Sequence, residues 1–318
     1  MSEQRYTPVG LFMRALVLVG LGAALVIAFQ MGREMPAGVS GIAARAEAAP
    51  ATVDLHQAAT GGNVEAIRAA LDAGADINAP LIDRGGAKAG MTPLMLACFS
   101  GSEDAVSVLL EAGAKTEARS TDGRTALIYA AGWGGVDKVR RLIDAGATLD
   151  ARATDGMTAL MFAAVRGDVE SVRALVAAGA RVDERNRWRQ TALMGAARNG
   201  SIEKVQELIN AGAAVDMSDQ FGDTALSIAA ASSDAGAPVL ELLLEAGAQV
   251  DKPDNDGVTP LMKAAEAGHE PKVRVLLAAG ADATLKDTAN GWTARDWAAK
   301  RDDATGRTIA DILGGGSK

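Results

Sequence analysis

Cysteine occurs once in this chain, at Cys98, and histidine twice, at His56 and His269. One cysteine excludes an intrachain disulfide and leaves none for lipid attachment after an N-terminal leader. No Cys/His cluster has metal-ligand spacing, so no metal site is expected. Serine and aspartate occur without a histidine close by, which leaves no recognisable nucleophile–base pair and no catalytic residues to name. The glycines recur at fixed spacing and form no phosphate-binding loop, so no cofactor is expected. Aromatic residues make up only 3% of the chain, too few for a thick sandwich core and suited to thin, closely stacked helices. An excess of basic residues is missing too. The formal net charge is -8, which argues against nucleic acid as a partner.

What is present falls into two parts. Arg5 and Arg14 precede an uncharged apolar run, Ala15–Phe29, the order of a charged n-region and an h-region. As a helix the run reaches about 22 Å, short of the roughly 30 Å hydrocarbon core, and extension to Gly32 makes a marginal span. Ala46-Glu47-Ala48 offers a small-x-small cleavage site. Residues 1–48 therefore read as a signal peptide or signal anchor with a linker, and the expected location is exported: the periplasm, or the periplasmic face of the inner membrane.

From Val53 onward one pattern repeats. In Asp122–Asp150, Leu127, Ala130 and Ala131 lie on one helical face, and Val136, Val139, Leu142 and Ile143 form a second stripe of the same period. Thr125 suits a helix N-cap, and Gly146 suits the left-handed residue after a helix end. Residues equivalent to Thr125 are Val53, Thr92, Thr158, Thr191, Thr224, Thr259 and Thr293, at intervals of 39, 33, 33, 33, 33, 35 and 34. Six extra residues fall in Ala79–Gly90 and two near Ser232–Pro238. One such helix pair cannot bury its apolar face alone, so the units must stack.

A period of 33 that opens with Thr92-Pro93-Leu94, Thr158-Ala159-Leu160, Thr191-Ala192-Leu193 or Thr259-Pro260-Leu261, and closes with Gly-Ala pairs such as Gly146-Ala147, resembles the ankyrin repeat family. The resemblance covers about Val53 to Leu313. It implies an all-α solenoid of about eight helix-turn-helix units over residues 53–313, with β-hairpin-like loops. A hydrophobic helix would precede it and a disordered tail, 314–318, would follow. The family's usual histidine after Thr-Pro-Leu is replaced by Met95, Ile128, Met161, Met194, Ser227 and Met262, and a methionine column is expected to pack rather than hydrogen-bond. Trp188-Arg189 stands where the family has Asp-Gly, which is expected to distort that turn. Polar residues in the first and last units read as caps.

The resemblance also implies where a partner would touch: the loop tips and the concave side of the first helices. Those slots hold Phe99, Arg119, Arg124, Trp133, Arg152, Arg166, Arg185, Arg187, Trp188, Arg198 and Phe221. Acidic residues lie mainly on the second helices. Arginine and tryptophan are the types enriched at interface hot spots, and arginine clamps carboxylates. The expected function is a protein–protein interaction scaffold in a bacterial cell envelope, binding an acidic or C-terminal segment of a partner. Two alternatives stay open: an accessory protein that holds or delivers an anionic small ligand to an exported enzyme, and a membrane-anchored structural scaffold.

Overall fold

Threonine sets the start of almost every first helix. In extended conformation, Thr92, Thr158, Thr191, Thr224, Thr259 and Thr293 each accept, through the side-chain oxygen, the amide N–H three residues on. The computed structural model describes residues 54–82, 86 and 88–315. The expected leader or anchor, the cleavage site and residues 316–318 of the tail lie outside the described residues. No helix among those described is long and apolar enough to cross a membrane.

Sixteen helices are described, and they fall into eight consecutive pairs. They are α1 Leu55–Gly61 and α2 Val64–Asp72, α3 Pro93–Ser100 and α4 Glu103–Glu111, α5 Ala126–Tyr129 and α6 Val136–Asp144, α7 Ala159–Val165 and α8 Val169–Ala177. The remaining pairs are α9 Ala192–Arg198 and α10 Ile202–Asn210, α11 Ala225–Ala231 and α12 Ala237–Glu245, α13 Pro260–Ala267 and α14 Glu270–Ala278, α15 Ala294–Ala299 and α16 Ala304–Leu313. First helices stack on first helices and second on second, each unit against the next. Among the described residues there is no strand. The loops are closed by a few backbone bonds, such as Ser120 N–H to Arg124 O, 3.0 Å, and Gly123 N–H to Ser120 O, 2.8 Å, so the hairpin-like tips are turns rather than a sheet.

Packing is governed by columns. Ala97, Ala130, Ala163, Ala196, Ala229, Ala264 and Ala298 are all fully buried, one in each unit after the first, where first helices meet. A methyl there lets backbones approach, so larger side chains are excluded. Leu109, Leu142, Leu175, Leu208, Leu243 and Leu276 form the matching column of the second helices. First helices are buried on nearly all sides, whereas second helices bury one stripe and turn the acidic residues outward. Second helices end alike. In α6, Ala147 N–H reaches Leu142 O at 3.0 Å and Gly146 N–H reaches Ile143 O at 2.9 Å, with Gly146 left-handed. This is the glycine-terminated pattern that satisfies carbonyls at a helix end.

Three expectations need correction. The methionine column does hydrogen-bond: Thr92, Thr191 and Thr259 N–H donate to the sulfur of Met95, Met194 and Met262 at 3.4, 3.5 and 3.4 Å. Ser227 does the same with oxygen, at 2.9 Å. The cap expected at Thr125 is absent, and its buried hydroxyl has no partner. The turn at Trp188-Arg189 is not distorted. Arg189 takes φ 63°, the left-handed value that glycine holds elsewhere, and Asn186 Oδ1 accepts Trp188 and Gln190 N–H at 3.0 and 2.9 Å.

Buried cations stitch unit to unit. Lys138 on α6 donates to Gly101 O at 2.7 Å, and Lys272 on α14 donates to Ala229 O at 2.8 Å and to Ser232 O. Each amine closes the C-terminal end of the preceding unit's first helix, where carbonyls lack partners and a cation is favoured. Burial pushes the Lys272 amine down to about 8. Cys98 is fully buried, and burial pushes its thiol up to about 12.

Candidate functional site

The loop tips form a continuous row. Thr154 N–H donates to Asp122 O at 3.0 Å, Arg187 to Asp155 O at 2.9 Å, Gln220 to Trp188 O at 2.9 Å and Asn255 to Phe221 O at 2.9 Å. Three of the arginines expected to touch a partner also brace this row. Arg119 Nη1 donates to Arg152 O at 2.7 Å and to Gly123 O at 2.9 Å. Arg152 donates to Arg185 O and pairs with Glu184 at 2.5 Å, and Arg185 Nη2 donates to Ser218 O at 2.7 Å. Each reaches the loop of the next unit. The reason is geometric: a guanidinium fork on an outward slot spans one repeat and meets an unpaired carbonyl there. Each commits part of its guanidinium to holding tips in line.

Unit three supplies an aromatic cluster. Trp133 lies 5.6 Å from Phe99, 6.0 Å from Tyr129 and 5.6 Å from Phe162, ring centre to ring centre. Arg124 sits over it, with its guanidinium carbon 4.8 Å from the Phe162 ring, 5.5 Å from Trp133 and 5.8 Å from Tyr129. Arg166 lies 5.5 Å from the Trp133 ring. Cation–π contact of this kind is strongest when water is partly excluded. Arg124 is further held by Asp122 at 2.9 Å, and Tyr129 Oη bonds to Ser120 and Asp122, each at 3.2 Å. Burial raises the Tyr129 phenol above its ordinary value. Trp133 itself is 36% exposed. Its backbone explains that pose: α5 runs into a π-helical turn, Ala130–Gly134, and Gly135, at φ 84°, stands where the next unit has the capping Asp168. A π-turn rotates the residues after it and is frequent at functional positions.

Unit five breaks the pattern twice. At its tip, Trp188 and Arg187 are exposed and paired, the guanidinium carbon 5.7 Å from the indole ring. On α9, Gly195 occupies the column that elsewhere holds Leu96, Tyr129, Phe162, Ile228, Lys263 and Trp297. The missing side chain leaves a cleft of about 70 Å³ lined by Met157, Met161, Val165, Gln190, Met194 and Arg198. A Cβ on Gly195 would come within 2.6 Å of a Val165 methyl. The sequence contained this signal, but it shows only when the units are aligned on that column; reasoning from charged and aromatic slots alone passed over it.

Beyond unit five the surface changes character. Phe221 is 60% exposed at the next tip. Lys263 is enclosed by Asp223 at 2.9 Å and Asp254 at 2.7 Å. Burial opposes its charge, and the two carboxylates outweigh that, so its pKa lies above the ordinary lysine value. Of the residues expected at the surface, the structure thus gathers Phe99, Arg124, Trp133 and Arg166 into one cluster, joins Arg187 to Trp188, sets Arg198 on the cleft, and leaves Phe221 apart. Among the described residues, no group of three or more His, Cys, Asp or Glu side chains is placed to hold a metal ion.

No curated protein matches the chain. A family model described as ankyrin repeats in three copies matches it repeatedly, over residues 54–120, 113–186, 160–254, 193–287 and 230–313. Together with eight stacked helix pairs and their shared columns, these overlapping matches show that the chain belongs to the ankyrin repeat family.

Proposed function

We propose that this chain is a scaffold that binds a partner protein across its loop tips and first helices. Contact centres on Trp133 and Trp188, with Arg124, Arg166, Arg187 and Arg198 around them, and with Phe99 and Phe221 at the margins. Ankyrin repeats generally mediate protein–protein interaction, and arrays of this family are typically binding scaffolds rather than enzymes. The observation that carries the finer reading is the placement of exposed tryptophans beside guanidinium groups in the two units that depart from the repeat. Exposed aromatic anchors flanked by arginine are the composition of an interface hot spot. The partner surface is acidic.

The proposed location is the cell envelope, after export through the segment that begins with Arg5, Arg14 and the apolar run Ala15–Phe29. Fractionation of cells tests this, and full-length protein wholly in the cytoplasm contradicts it. Affinity capture tests the binding reading. Purified Trp188→Ala with Arg187→Glu should fail to retain a partner that the unsubstituted chain retains, at an unchanged melting temperature. Equal retention contradicts it.

A further inference from the structure

Four arginines around the Gly195 cleft remain available. Arg166, Arg187, Arg189 and Arg198 are exposed, and among the described residues no carboxylate or carbonyl binds their side chains. All four flank cleft residues in sequence or line the cleft directly: Val165 precedes Arg166, Asn186 precedes Arg187, Gln190 follows Arg189, and Arg198 is part of the wall. The acidic side chains of the same tips are engaged. Asp122 is held by Arg124, Asp155 accepts the Met157 N–H at 2.9 Å, and Glu184 is paired with Arg152 and Arg181. Four guanidinium groups thus outnumber Asp155 and Asp183, the carboxylates of these two tips that accept only backbone N–H groups, and the rim has positive charge in excess.

The floor is of opposite character. Met157, Met161, Val165 and Met194 line it, and no charged side chain enters it except at Arg198. Methionine adapts its shape to what it covers. The methionine and valine walls of the cleft and its small volume, about 70 Å³, suit a single aliphatic side chain. Arg189 adds a second argument. It holds φ 63°, a backbone conformation that favours glycine, which is present at the matching position of the neighbouring tips in Gly156 and Gly222. Arginine at this φ bears a backbone cost that glycine would not, and it adds a guanidinium to the tip.

We infer that the Gly195 cleft takes one aliphatic side chain of an acidic segment of the partner, whose flanking carboxylates are bound by Arg166, Arg187, Arg189 and Arg198. This rests on the reading of the tip-and-first-helix surface as the partner site and adds the chemistry of what it recognises. Carboxylate–guanidinium pairs fix the segment over the cleft, and the apolar anchor sets its register.

The test uses the full chain and three labelled synthetic peptides read by fluorescence anisotropy: one leucine within a run of aspartate and glutamate, the same run with alanine for leucine, and the same run with tryptophan for leucine. Leucine should bind more tightly than alanine by at least about tenfold, the burial of an aliphatic side chain, and more tightly than tryptophan. Gly195→Val should bring the leucine peptide down to the alanine peptide's affinity while the alanine peptide is unaffected. Because a Cβ there crowds Val165, Val165→Trp serves as a second way to fill the cleft. Arg187→Glu with Arg198→Glu should weaken all three peptides. Equal binding of leucine and alanine peptides, still lost in the arginine variant, overturns the cleft assignment and leaves the partner surface standing. Binding of none of the peptides overturns the cleft assignment, and the capture experiment then decides the surface reading by itself. A short oligothymidylate that binds more tightly than the leucine peptide also overturns the inference.

Discussion

The guanidinium of Arg124 lies 4.8 Å above the ring of Phe162, so the tip of one unit is held on the first helix of the next. The same group pairs with Asp122 at 2.9 Å. A residue expected to wait for a partner is thereby also a structural bond between units. Arg124→Ala should lower stability by about 1–2 kcal/mol, from lost cation–π contact and a broken partly buried pair. Arg124→Lys should recover only part of it, because an ammonium cannot stack as a planar fork does. Urea unfolding of the three proteins checks both statements.

Arg189 makes the opposite case. Its left-handed backbone costs about 1 kcal/mol that glycine would not incur. Arg189→Gly should therefore raise stability by about that amount and weaken binding of an acidic peptide. A variant that loses stability would show that the arginine side chain supports the turn.

Thr125 and Thr158 occupy equivalent positions but do different things. Thr158 caps α7, and Thr158→Ala should cost about 1 kcal/mol. Thr125 makes no cap bond and its buried hydroxyl has no partner, so Thr125→Ala should cost under about 0.5 kcal/mol. Thermal melts of the two single variants compare them directly.

The contrast also shows how far the sequence could be read. Thr92 through Thr293 and the Gly-Ala closures set helix starts, helix ends and the stacking period, because each rests on a local rule that nearly every unit repeats. The π-turn before Gly135 was out of reach. No local rule of the repeat announces it, and through it Trp133 packs on Phe99, Tyr129 and Phe162 rather than standing free. At the surface, the slot rule anticipated the exposure of Trp188, Arg187 and Arg198. It could not show that Arg119, Arg152 and Arg185 would spend their donors on the next unit's loop, since that depends on distances between repeats.

Lys272 gives the chain a pH signature. Its folded pKa is lowered to about 8 from an ordinary 10.5, so between those values the unfolded chain binds the proton that the folded chain has released. Stability from this group then rises with pH across the window from about 8 to 10.5, and the cost of holding the buried charge is fully present below about 8. The difference in unfolding free energy between the unsubstituted chain and Lys272→Met should shift toward the unsubstituted chain as pH rises from 8 to 10.5. A flat difference contradicts the assignment.

Trp133→Ala confounds binding with folding, because the indole contacts three rings; Trp188 lies at a tip, exposed, with its backbone carrying the contact to Gln220. Capture of a partner by full-length Trp188→Ala with Arg187→Glu, beside the unsubstituted chain and with melts of both, therefore tests most directly whether the irregular residues of the repeat carry recognition. If they do, the variant loses the partner at an unchanged melt. Retention of the partner in equal amount would contradict it.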